Sequence, residues 1–286
     1  MTEQATNCDA GRVIVVGSVN VDLTTRVARQ PAPGETVAGE GLSRWAGGKG
    51  ANQAMSAARS GARVAMVAAV GADEAGRSYR RRLAEAGIDV SRVREVEGPT
   101  GHALITVADS GENAIVVIAG ANADHTGESV RQDLAALRIG PGDVLVTVLE
   151  IPLEAVAAAV ESARTAGARV VLNLAPFAVV DPGILNAADP VVVNEHEGEQ
   201  LADAGQLPES LLVTLGAEGA RWGSVQVPGV AVDGEVLDTT GAGDAFCGAL
   251  AAALAAGGEH SAAVQAAVAA GTLAVQHRGA QPDPEL

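Results

Sequence analysis

Aromatic residues are nearly absent from this 286-residue chain: two Phe, two Trp and one Tyr make up 2% of it. The core must therefore be filled by aliphatic side chains, and a site built on aromatic stacking has little to draw on. Cysteine is as scarce. Cys8 lies in a polar leading segment and Cys247 in an apolar, helix-like stretch. Two cysteines so placed argue against a disulfide framework and fit a reducing cytoplasm. Positive charge is also short, with 19 Lys and Arg against 35 Asp and Glu and a net charge of −16. So acidic a surface argues against nucleic acid and anionic membrane as partners. The longest apolar stretches, 245–258 and 261–276, are broken by Glu259-His260 and are mostly alanine. They read as two buried helices and not as a membrane span. The leading MTEQATNCDAGR carries neither the basic nor the apolar region of a signal peptide. The five histidines are scattered without metal-ligand spacing.

What is present is an alternation. RVIVVG (12–17), ARVAMVAAVG (62–71), DVLVTVLE (143–150), ARVVLNLA (168–175), PVVVN (190–194) and SLLVTLG (210–216) are short apolar runs that read as buried strands. Helical patterns separate them at 48–62, 73–87, 126–137, 152–166 and, briefly, 183–187, and two more close the chain at 242–256 and 260–276. Short strands are expected near 220–237. This is an α/β chain with a central, mostly parallel sheet and helices on both faces. The length suits one large domain, 1–286. Segments 21–27 and 36–47 alternate apolar and polar residues, and 102–108 with 113–120 read as a hairpin around DSGE. These are expected to form a small side sheet, a lid, with strands inserted near 21–47 and 91–120.

Residues 238–246, DTTGAGDAF, pose a specific problem. A strand, a glycine turn and a helix start present backbone N–H groups and the positive end of the macrodipole to an anion. Gly241 and Gly243 leave room for a phosphate. Asp244 would repel that phosphate unless it has another task, and accepting a proton from an attacking hydroxyl is one. The alternative is a plain helix cap. In WAGGKGANQA (45–54) Gly50 follows Lys49, so this is no Walker A loop. The glycines instead suit a small polar ligand, with Asn52 one turn on, or else close helix–strand packing. Asn20 and Asp22 in GSVNVD follow the first strand, point one way and suit vicinal hydroxyls, unless they form an Asx turn. Glu150 ends another strand. Asn194 and Glu197 stand three apart, as a magnesium pair acting through water or as an N-cap with solvated acids.

Together, in this order and spacing, GGKGAN, the N-V-D pair, N-x-x-E and TTGAGDAF resemble the PfkB-type carbohydrate kinases. PAPGETV, SGENAIVVIAGAN, VTLGAEG and RGAQP resemble the ribokinase group within that family. The resemblance runs from about Arg12 to Asp283. It implies a ribokinase-like α/β fold and ATP-dependent phosphorylation of the 5-hydroxyl of D-ribose, with another pentose, 2-deoxyribose or a nucleoside as alternative acceptors. It implies Asp244 as catalytic base and Gly241, Ala242 and Gly243 as an anion hole. Asn20, Asp22, Gly48, Lys49, Asn52 and Glu150 would bind the sugar. Asn194, Thr214, Gly216, Gly219 and Gly243 would lie along ATP, with Glu197 reaching Mg2+ through water. Asp238, Thr240, Ala274, Gly279 and Asp283 would form a site for activating K+. The lid would pair two subunits into a homodimer. Three departures stand out: the stretch between His196 and Leu211 is short, the chain stops soon after RGAQP, and Asp283 replaces a small hydroxyl residue. They motivate a competing reading, a sugar- or nucleotide-binding protein with impaired catalysis.

Overall fold

The computed structural model describes residues 11–282 and residue 285, so Asp283 and Cys8 lie outside the described residues. Strand β1 (Arg12–Val16) is followed by β2 (Asn20–Val27) and β3 (Gly39–Gly47), helix α1 (Lys49–Arg59), β4 (Arg63–Gly71), α2 (Glu74–Glu85) and β5 (Asp89–Val96). Next come β6 (Gly101–Ala108), β7 (Asn113–Ile118), a 3-10 turn (Gly120–Asp124), α3 (Gly127–Leu137), β8 (Val144–Val148), α4 (Leu153–Ala166) and β9 (Arg169–Asn173). Then follow α5 (Pro182–Ala187), β10 (Val191–Asn194), α6 (Glu195–Asp203), β11 (Leu211–Thr214), β12 (Gly219–Trp222), β13 (Val225–Pro228), α7 (Ala242–Ala255) and α8 (His260–Ala274).

Nine strands form the large sheet, in the order β13-β12-β11-β10-β9-β8-β1-β4-β5. All neighbours are parallel except β12 and β13, which close one edge as antiparallel strands. Side chains of β1 divide by parity. Val13 and Val15 pack with α1, α2, α7 and α8, while Ile14 and Val16 pack with α3 and α4. Continuous Val, Ile and Leu in these strands is what burial on both faces requires. The chain runs outward from β1 in one direction through β4 and β5, then in the other through β8 and its successors. The order therefore reverses at β1, and the crevice beyond the carboxyl ends of β1 and β8 is where such sheets collect ligands.

The second sheet has the order β3-β2-β6-β7, with β6 and β7 forming the expected antiparallel hairpin. Its strands come from Asn20–Gly47 and Gly101–Ile118. The expectation that it begins near residue 91 is corrected: β5 pairs with β4 as the edge of the large sheet. Its half-exposed alternation is that of an edge strand covered on one face, which the lid strands also show. Among the described residues, no helix is long and apolar enough to cross a membrane.

Candidate active site

The crevice begins at the turn after β1. Glu150, two residues past β8, accepts hydrogen bonds from the Ser18 hydroxyl (2.5 Å) and from the Lys49 backbone N–H (2.9 Å). Ser18 in turn takes the N–H groups of Gly50 on its hydroxyl (3.3 Å) and of Ala51 on its carbonyl (2.9 Å). Strand end, turn and helix start are thereby bound into one unit. The glycines permit the approach: a Cβ on Gly48, whose φ is 86°, would lie 2.6 Å from the Asn20 nitrogen. One on Gly50 would lie 2.5 Å from the Ser18 nitrogen. The close-packing reading of GGKG thus holds, and it sets the geometry in which any ligand must fit.

Asn20 forms no Asx turn. Its Oδ1 accepts from Asn122 Nδ2 (2.8 Å), and Asn122 also bonds the backbone of Val19 in both directions. Asp22 faces Gly47, where an added Cβ would come within 2.3 Å of both carboxylate oxygens. Among the described residues nothing donates a hydrogen bond to Asp22. A cavity of about 350 Å³ lies elsewhere, at the opposite sheet end beside Asp143 and His260. The one of about 330 Å³ beside Asn20 and Glu150 opens between the sheets and is also lined by Val117, Asn122 and Pro152.

Asp244 lies in the first turn of α7 yet caps nothing: no side chain caps that helix start, and its N-cap is Gly241 at φ 78°. Asp244 instead reaches across to α1. Its Oδ2 accepts from Asn52 Nδ2 and its Oδ1 from Gln53 Nε2, both at 2.9 Å. It is buried, as are both amides. The glycine at 241 is obligatory, because a Cβ there would sit 2.5 Å from the Ala280 Cα. Around Gly243, by contrast, the space where a Cβ would sit is open.

The electrostatics tie these groups together. Burial, then the charges of Glu150 and Asp244, push the Asp22 carboxyl up to about 7, with Lys49 opposing. Burial likewise raises Glu150, against hydrogen bonds from Ser18 and the Lys49 backbone. Burial works against the Lys49 ammonium, but Asp244, Glu150 and Glu197 outweigh it and its pKa is raised. One cation thus senses the acids on both sides of the crevice.

Asn194 and Thr214 end adjacent parallel strands in direct register. Asn194 caps α6: its side chain accepts from the Glu197 N–H, and the Glu197 carboxylate accepts from the Asn194 N–H, each at 2.8 Å. The capping alternative is therefore realised. Gly216 and Gly219 follow at positive φ, 54° and 102°, around a 3-10 turn. The Asp238 carboxylate accepts from the Thr240 N–H and from the Gly279 N–H, both at 2.9 Å. The Leu237 N–H donates to Val275, the residue after Ala274 (2.8 Å). Asp238, Thr240, Ala274 and Gly279 are thus brought into one loop pair.

A family model described as pfkB family carbohydrate kinase matches residues 10–286. The chain belongs to this family. It is similar to ribokinase of Haemophilus influenzae, 36% identical over 288 residues and 93% of each chain. It is also similar to ribokinase of Bacillus subtilis, 36% identical over 94% of each chain. Among solved structures, ribokinase of Arabidopsis thaliana complexed with ribose and ATP superposes with a TM-score of 0.83 at 29% identity, covering 96% of both chains.

For a pfkB kinase the donor set bears on metals. Among the described residues, no group of three or more His, Cys, Asp or Glu is placed to hold a metal ion. Glu197, half-buried at the start of α6, spends one carboxylate oxygen on the Asn194 N–H, and among the described residues the other has no hydrogen-bond donor. Asp238 offers a carboxylate whose two oxygens already accept from backbone N–H groups, those of Thr240 and Gly279.

Several groups escaped the sequence reading: Ser18, Gln53, Asn122, Tyr79 and Gln281. Each acts through a partner distant in the chain. Ser18 in GSVNVD, Gln53 in GGKGANQA, Asn122 in SGENAIVVIAGAN and Gln281 in RGAQP lie within motifs whose other residues drew the roles, and Tyr79 lies in none.

Proposed function

We propose that the protein is an ATP-dependent ribokinase, transferring the γ-phosphoryl of ATP to the 5-hydroxyl of D-ribose. The observation that carries this is Asp244, buried at an uncapped helix N-terminus and held by two amides on a neighbouring helix. Asp244 takes the hydroxyl proton as the sugar oxygen attacks phosphorus. The N–H groups of the Gly241-Ala242-Gly243 turn and the α7 dipole stabilise the equatorial oxygens of the transferring group. Lys49 binds the sugar, its ammonium held charged by Asp244, Glu150 and Glu197. Asn20, Asp22, Gly48, Asn52 and Glu150 bind the sugar hydroxyls. Among the described residues Asp22 has no donor, and at neutral pH its shifted carboxyl can accept or give a hydrogen bond.

Asn194, Thr214, Gly216 and Gly219 would hold ATP, and Glu197 would hold the nucleotide's Mg2+ through water. When bound, Mg2+ neutralises charge on the β- and γ-oxygens. Asp238, Thr240, Ala274 and Gly279 would hold K+, and Asp283, outside the described residues, completes the set that the resemblance implies. The four-stranded sheet closes over the sugar. It pairs with a second copy, a reading supported by its exposed Leu42, Leu104, Ile115, Val116, Val117 and Ile118. A buried free thiol at Cys247 fits a cytoplasmic setting.

The test is ADP release from purified protein with Mg-ATP, K+ and a sugar panel. Ribose-dependent release is expected. Release only with another sugar moves the substrate, and silence across the panel with folded protein returns the binding-protein reading.

A further inference from the structure

Four side chains form a directed hydrogen-bond relay that ends on Asp244. Arg82 Nε donates to Gln281 Oε1 (3.2 Å), Gln281 Nε2 donates to Asn52 Oδ1 (2.9 Å), and Asn52 Nδ2 donates to Asp244 Oδ2 (2.9 Å). A side branch runs from Gln281 Nε2 to the Tyr79 hydroxyl (2.9 Å), which donates to the Gly47 carbonyl (2.7 Å). Gln281 and Tyr79 are fully buried.

The direction of the relay is fixed by chemistry. An arginine can only donate, so the Gln281 oxygen must face Arg82 and its NH2 must face inward. That NH2 requires the Asn52 oxygen, and the Asn52 NH2 is then left for the carboxylate. A primary amide has two orientations of similar shape, and in the wrong one Asn52 would point its oxygen at Asp244. The ionised Asp244 disfavours it, since a carboxylate only accepts, and Gln281, 229 residues away in the chain, fixes the other end of the amide.

We propose that Gln281 is a positioning residue for phosphoryl transfer: it locks the amide of Asn52 so that Asp244 is held by a donor and aimed at the sugar hydroxyl. The same short segment also buttresses the anion turn, because Ala280 fills the space against Gly241. Asp238 anchors it through the Gly279 N–H. The proposal rests on the kinase reading above.

The relay makes an unusual ordering of variants. Gln281→Glu preserves size but offers oxygen to Arg82 and to Asn52 alike. Asn52 can then point its NH2 at only one of two carboxylates, residue 281 or Asp244, so its hold on Asp244 is weakened. Gln281→Met removes the lock without adding a second carboxylate. Arg82→Met, at a partly exposed site, removes the group that sets the Gln281 orientation, together with the Arg82 bond to the Pro282 carbonyl.

The experiment measures kcat and KM for the sugar, sugar affinity by calorimetry, and Tm, on the full chain and these three variants. The expected result is a fall in kcat of about 100-fold for Gln281→Glu, about 10-fold for Gln281→Met and a few-fold for Arg82→Met. KM and sugar affinity should stay within about three-fold, so the loss is in the chemical step. If Gln281→Met fails to fold, side-chain amide exchange by NMR in the unaltered protein serves instead. Slow Asn52 and Gln281 NH2 exchange, quickened by Arg82→Met, supports the relay. Fast exchange in the unaltered protein overturns it. The proposal is also overturned if both Gln281 variants keep kcat within two-fold, or if kcat falls only in step with Tm and sugar affinity. An unaltered protein silent with every sugar would sink the kinase reading instead, and the positioning role with it.

Discussion

Asn52 on α1 donates to Asp244 on α7 at 2.9 Å, across 192 residues of chain. Two helices on the same face of the large sheet thus meet at one carboxylate, with the Gln53 amide on its other oxygen. Both donors are uncharged. They orient the carboxylate without neutralising it, which is what a group that must accept a proton needs.

Replacing that acceptor is the most direct test. Asp244→Asn keeps the shape but cannot take a proton. Sugar-dependent ADP release should fall roughly 10²–10⁴-fold, while sugar affinity measured by calorimetry stays within a few-fold. Retained turnover would remove Asp244 from the role of base.

The anion turn has no steric latitude on one side. Gly241→Ala puts a methyl group into Ala280 and a non-glycine residue at positive φ. Stability should drop by about 1–3 kcal/mol in urea unfolding. The chemical step should slow by more than about 10-fold, because the N–H donors move off the phosphoryl oxygens.

Asp22 carries a pH signature. Its carboxyl is raised in the folded protein to about 7, so folding favours its protonated form. Its contribution to stability is therefore complete below the unfolded value and is lost as pH rises through about 7. Asp22→Asn should stabilise the sugar-free protein at pH 8, on the order of 2 kcal/mol, and give no advantage near pH 4. Denaturant midpoints across that range read the effect, and an equal shift at both ends would contradict it.

Asp238 joins Thr240 to Gly279 through its two carboxylate oxygens. Asp238→Ala should abolish stimulation by K+ at constant ionic strength while a low basal rate persists. Rates measured against KCl, with choline chloride as balance, check this.

The exposed apolar strand β7 gives an assembly test. Val116→Glu should convert a dimer into a monomer by light scattering. A monomeric unaltered protein at micromolar concentration would dispose of pairing through this sheet.

The layered α/β fold was legible in the sequence because its strands are continuous Val and Leu runs, broken by helices of clear period. The glycine turns were legible too, since few other arrangements need small residues before a helix. The role of 91–96 was not, because an edge strand such as DVSRVREV alternates just as a lid strand does. Asn194 and Glu197 illustrate a different limit. Three-residue spacing at a helix start fits a capping box and a water-mediated magnesium pair equally, and the box becomes visible only in the folded chain. Gln281, Asn122 and Ser18 were beyond reach because their meaning is supplied by partners more than 100 residues away, and only the tertiary fold brings those together.

The central place of β1 has a further consequence for how the chain is made. Its backbone edge toward β8 waits for Val144 and the residues after it, and until they arrive Val13 to Val16 present a bare, wholly apolar ribbon. A nascent chain that has completed β4 but not β8 carries its stickiest strand half paired. Interrupting synthesis or cutting the chain in that interval should yield aggregates rather than a smaller folded protein.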